Sequence, residues 1–168
     1  MFGLSYPVYY SVCLKGPQFR FRTEHATFFE ASDRYLAPEN LHPHEYRARI
    51  TIEGPPDMTG RVIDFTALEK AFQDVLNAWD GRVILHKKYE LDPALRRQYK
   101  KQKRLYLEKN NPTSELIAGM ILDDLIDLLE KRKAVPRSSL DDYSYTLRLI
   151  EKPGHFAVEA STGGRFDS

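Results

Sequence analysis

The chain has 168 residues, enough for one domain with a real core, and its 25 basic and 24 acidic residues nearly cancel to a net charge of +1. That balance argues against nucleic acid or a membrane as a partner recognised by bulk charge. The single cysteine, Cys13, excludes an intramolecular disulfide and a multi-cysteine zinc site, so zinc would need histidine or carboxylate ligands. No apolar run reaches membrane-spanning length. MFGLSYPVYY lacks the basic start and apolar stretch of a signal peptide, so a cytoplasmic protein is expected.

PVYYSVCLKG is rich in valine and aromatics and reads as a strand that stops at a Gly16-Pro17 turn, with Cys13 a small buried residue on it. QFRFRTEH alternates Phe19 and Phe21 with Arg20 and Arg22, a half-buried strand ending near His25. Residues 30–40 read as a loop. HEYRARITIEG alternates again, with Tyr46, Ala48, Ile50 and Ile52 on one face, and ends in the turn GPPDMTG. The period then lengthens. Phe65, Leu68, Phe72, Val75, Leu76 and Trp79 recur at helical spacing, with Asp64 or Thr66 as the cap. The basic stretch at 92–109 carries Pro93, which suits the first turn of a helix. A second amphipathic helix opens at Pro112 or Thr113, with Glu115 in its first turn and Lys/Arg in its last. YSYTLRLIEK and HFAVEAS are closing strands around a Lys152-Pro153-Gly154 turn. Strands, then helices, then strands make an α+β order.

His42 and His44 flank one residue at the start of a strand, so period two places both on one face. His25 ends another strand. Three imidazoles converging from two strands would suit zinc with an open fourth position; three ordinary surface histidines are the other reading.

The order of these motifs resembles the 6-pyruvoyl-tetrahydropterin synthase family, which includes the 6-carboxy-tetrahydropterin synthases. The elements are FRTEH, LHPHEY, GRVIDFTAL, WDG, NPTSE and the IEK of the penultimate strand, spread over residues about 19 to 160. The resemblance implies a single domain over 1–168 with the tunnelling fold. That is a four-stranded antiparallel sheet with two main helices on one face, here with a basic helical insert at 92–109. It implies homo-oligomers with active sites at subunit interfaces, and zinc on His25, His42 and His44. The pterin substrate would be anchored by Glu151, with Thr113 and Glu115 near the same pocket.

The chain departs from its relatives in four places. Most relatives carry a catalytic cysteine before the histidine pair; here the protic candidate of that loop is Glu39, which is either an ordinary loop carboxylate or the base, as in a subgroup that cuts the side chain of dihydroneopterin triphosphate to 6-hydroxymethyl-dihydropterin. The usual Asp-His relay keeps Asp80 but has Gly81 for the histidine, so either His86 or a water substitutes, or the reaction needs only one of the usual proton transfers, or catalysis is lost. Pro43 replaces a glycine and stiffens the link between two ligands. The basic insert is either a solvated helix or a clamp for a phosphorylated substrate. The expected function is a zinc-dependent pterin carbon–carbon or carbon–oxygen lyase with Glu39 and Asp80 catalytic. The alternatives are a triphosphate-eliminating 6-pyruvoyl or 6-carboxy synthase, and a non-catalytic pterin-binding homologue.

Overall fold

The computed structural model describes residues 12–25, 42–108, 112–134, 142–151 and 156–162. The expected signal-free N-terminal segment, the 30–40 loop with Glu39, the Lys152-Pro153-Gly154 turn and His155 lie outside these residues.

Six strands form one mixed sheet: β1 (Val12–His25), β2 (His42–Gly54), β3 (Arg82–His86), β4 (Arg104–Leu107), β5 (Ser144–Glu151) and β6 (Phe156–Thr162). Their order is β4-β3-β1-β2-β5-β6. The expected four antiparallel strands are present as β1-β2-β5-β6. The expectation of a four-stranded sheet is corrected by β3 and β4, which add parallel strands beside β1. RVILH shows no clean alternation because β3 is buried on both faces, as parallel strands are.

Gly16-Pro17 is not a turn. β1 runs through it with a shift of register between Lys15 and Gln18, so the two expected strands are one bulged strand. Cys13 is exposed rather than buried, because alternation puts it on the outward face opposite Glu53.

Three helices complete the fold: α1 (Phe65–Trp79), α2 (Pro93–Gln98) and α3 (Ser114–Lys131). Asp64 caps α1 by accepting from Ala67 N–H at 2.9 Å. Five of its six expected apolar positions are buried; Phe65, at the first turn, is 65% exposed. α1 packs on β1, α3 packs across β5 and β6, and the two helices pack on each other. Trp79 Nε1 donates to Asp124 Oδ2 at 2.8 Å and joins them at the core boundary.

The basic stretch is helical only over Pro93–Gln98; it continues through a turn into β4. Leu95 and Tyr99 pack on Val83 and Leu85, whereas Ile84 belongs to the core beneath α1 and α3. Alternation along β3 therefore places the insert on the opposite face of the sheet from the two main helices. Among the described residues, no helix is long and apolar enough to cross a membrane.

Candidate active site

The register builds the site one rung at a time, because residues paired across antiparallel strands share a face. Phe21, Tyr46 and Glu151 form one rung across β1, β2 and β5. Thr23 pairs with His44 on the next, and His25 with His42 on the third. Burial falls along this row: Thr23 is fully buried, His44 is half-buried and His42 is exposed. The core face of the sheet thus runs directly into a polar end.

Of the three predicted metal ligands, His42 and His44 have ring centroids 4.4 Å apart with planes inclined by 38°. His25 occupies the register position opposite His42. His44 Nδ1 lies 2.6 Å from Glu151 Oε1. A carboxylate oxygen accepts, so the donor in this contact is an Nδ1–H of His44. Adjacent imidazoles, one of them bonded to a carboxylate, are donors of the type that zinc takes, although among the described residues no third such donor completes a group.

The other predicted residues divide. Glu151 joins the histidines through His44. Thr113 is the N-cap of α3, its hydroxyl accepting from Leu116 N–H at 3.3 Å, and Glu115 beside it is exposed. The helix start meets the site through Ser114, a residue that no sequence pattern singles out. Ser114 Oγ lies 2.9 Å from Tyr46 Oη and 3.5 Å from Glu151 Oε2. Tyr46, expected only as a core residue, therefore also borders the site. It is 1% exposed and stacks on Phe21 with centroids 5.2 Å apart. Burial pushes its phenol up to about 12; the Ser114 hydrogen bond opposes this, and Glu151 and Glu115 reinforce it. The signal in the sequence is the continuation of period two from His42 and His44 to Tyr46.

Asp80 lies elsewhere in the contact pattern. One carboxylate oxygen accepts from Arg22 N–H at 2.9 Å, while Gly81 N–H donates to Arg22 O at 2.8 Å. The pair completes the parallel junction of β1 and β3. Asp80 also lines a cavity of about 290 Å³ with Arg20, Arg22, Glu45 and Arg47. Gly81 has φ +70°, so the position usual for the relay histidine is a left-handed turn that ends α1. His86 closes β3 opposite Leu107.

Imidazole and carboxylate side chains thus gather at one end of an α+β sheet, beside the N-terminus of α3. The chain belongs to the 6-pyruvoyl tetrahydropterin synthase family, which it matches over residues 17–159. Members of this family are lyases that produce tetrahydropterins. The chain is 34% identical over 107 residues to a 6-carboxy-5,6,7,8-tetrahydropterin synthase of Rickettsia typhi, covering 60% of this chain and 77% of that one. A 6-pyruvoyltetrahydropterin synthase structure from Plasmodium vivax, in which a glutamate described as a catalytic residue is replaced by alanine, matches with TM-score 0.66 at 18% identity. That match covers 92% of this chain and 98% of that one. The Caenorhabditis elegans 6-pyruvoyl tetrahydropterin synthase matches with TM-score 0.56 at 18% identity, over 91% of this chain and 96% of that one. These likenesses show the tunnelling fold.

Proposed function

We propose that the chain is a zinc-dependent pterin lyase that cleaves the side chain of 7,8-dihydroneopterin, or its triphosphate, to 6-hydroxymethyl-dihydropterin. The observation that carries this reading is the 2.6 Å contact of His44 with Glu151, which couples the expected metal ligands to the expected pterin anchor in one chain. His25, His42 and His44 would hold zinc, which when bound supplies Lewis acidity that lowers the pKa of side-chain hydroxyls.

The residues divide the remaining work. Glu151 accepts from the amidine edge of the pterin ring, and the start of α3 closes over it through Ser114. Glu39 stands three residues before His42 and is the base. A carboxylate is a poor base for a C–H proton and better matched to an acidified hydroxyl. Removing the proton of the second side-chain hydroxyl turns that carbon into an aldehyde and breaks its bond to the first carbon. The electron pair passes into the ring imine, and the first carbon is then protonated to leave a hydroxymethyl group. The catalytic-residue glutamate of the Plasmodium vivax protein supports a carboxylate in this role. Asp80 keeps the β1–β3 junction in place and is available for proton transfer at its other oxygen. The functional unit is a homo-oligomer.

The Rickettsia typhi relative favours a second reading, a 6-carboxy- or 6-pyruvoyl-tetrahydropterin synthase. Mass spectrometry of products from zinc-loaded protein, incubated anaerobically with 7,8-dihydroneopterin and its triphosphate, separates them. A 6-hydroxymethyl product supports cleavage. Released inorganic triphosphate supports the second reading, and bound but unchanged substrate means a non-catalytic pterin-binding protein.

A further inference from the structure

We infer that Glu151 is a positioning residue for the metal site, setting the tautomer and ring plane of His44, and is not reserved for the substrate. This rests on the zinc reading proposed above. The His44 side chain is 11% exposed and that of Glu151 28%, so bulk water does not dominate the bond between them. At 2.6 Å the bond is short, as expected where an N–H meets a carboxylate.

The contact is a product of register. β5 sets Glu151 opposite Tyr46, and His44 stands two residues before Tyr46 on the same face. The carboxylate thus reaches diagonally across one rung. The imidazole is held from other directions as well. It stacks against Tyr46 with centroids 6.1 Å apart and planes inclined by 10°, and it meets His42 at 4.4 Å. With Nδ1 donating to Glu151, the nitrogen that can ligate is Nε2. A carboxylate behind a metal-binding histidine also raises the basicity of the ligating nitrogen.

The two oxygens divide the roles. Oε1 serves His44, while Oε2 makes a long 3.5 Å contact with Ser114 Oγ. A carboxylate has about four lone-pair directions, so ring donors of a ligand can be accepted while the bond to His44 persists. One side chain then serves both the metal site and the pterin site.

The test is zinc affinity of the full chain, measured by chelator competition without any pterin. Glu151→Gln should weaken zinc binding about 10- to 100-fold. Glu151→Asp keeps the charge but withdraws it by one methylene, and should weaken binding in the same direction. Ser114→Ala removes the contacts to the far oxygen and to the Tyr46 hydroxyl but none to His44, and should weaken zinc binding less than either Glu151 variant. The cobalt-substituted wild type and the Glu151 variants should differ in their visible spectra, which report ligand geometry. If folded Glu151→Gln and Glu151→Asp both hold zinc as tightly as wild type, Glu151 serves the substrate alone and the inference falls while the lyase reading stands. If the wild-type chain binds no zinc, the lyase reading falls and this inference falls with it.

Discussion

The Tyr46 hydroxyl lies 2.9 Å from Ser114 Oγ, joining the buried centre of β2 to the first turn of α3 across 68 residues. Tyr46→Phe removes this bond and should cost about 1 kcal/mol. It should also change the alkaline limb of stability. The unfolded phenol ionises near 10, whereas the folded one keeps its proton up to about 12. The unfolded state loses its proton first, so the contribution of Tyr46 is complete below pH 10 and is lost as pH rises towards 12. The difference corresponds to about 2–3 kcal/mol. Urea midpoints at pH 8 and 11.5 should show Tyr46→Phe less stable than wild type at pH 8 and less sensitive to pH. An unchanged slope would refute the assignment.

Tyr145 makes the opposite case from similar burial. Its phenol is also pushed up to about 12, chiefly by burial, and its hydroxyl has no hydrogen-bond partner among the described residues. Deleting an unsatisfied buried hydroxyl should be neutral or stabilising, by up to about 1–3 kcal/mol. Tyr145→Phe should therefore raise the urea midpoint at pH 8, where Tyr46→Phe lowers it. A clear loss of stability would refute the unsatisfied hydroxyl.

These two tyrosines mark how far a sequence pattern reaches. Alternation in HEYRARITIEG identifies the buried face of β2 correctly, because one face of that strand is core and the other is not. It also identifies the shared face of His42 and His44. It cannot assign Ser114 a role, since contact between a helix start and a strand depends on tertiary packing. β3 is illegible for a related reason: a strand buried on both faces has no alternation to read. Gly16-Pro17 looks like a turn because glycine and proline also mark bulges. Asp80 keeps its expected place in the chain, but its bond to the Arg22 amide is a fact of strand pairing that no local pattern announces.

Gly54 ends β2 beneath the ring of Tyr143. A Cβ added there would lie 2.1 Å from Tyr143 Cδ1, and Tyr143 is held in place by its hydrogen bond to Pro55 O at 2.8 Å. Gly54→Ala must move the ring or the strand end, and overpacking of this kind costs about 1–3 kcal/mol or more. Gly119, within α3, has nothing within 4 Å of the place an added methyl would take. Gly119→Ala should stabilise the chain by about 0.5–1 kcal/mol through helix propensity. Thermal melts of the two variants should move in opposite directions; a stable Gly54→Ala chain would refute the close approach.

Gly81 sets stability against chemistry. Its φ of +70° ends α1 and lets its N–H reach Arg22 O, and open space surrounds the position of a Cβ. Sterics therefore permit a histidine side chain, while the backbone disfavours it by about 1–2 kcal/mol. Histidine is among the residues that tolerate this region best, so Gly81→His should fold with a lower melting temperature rather than fail to fold. The variant would also supply the Asp-His pair that the family resemblance leads one to expect at residues 80 and 81. If the reaction is a retro-aldol cleavage with Glu39 as base, an added imidazole beside Asp80 is not needed, and turnover to the hydroxymethyl product should stay within a few-fold of wild type. A gain in triphosphate release would instead show that the relay histidine is what this chain lacks for elimination. Paired melting and product assays on this one variant read both effects, and a melting temperature equal to that of wild type would contradict the left-handed turn at the end of α1.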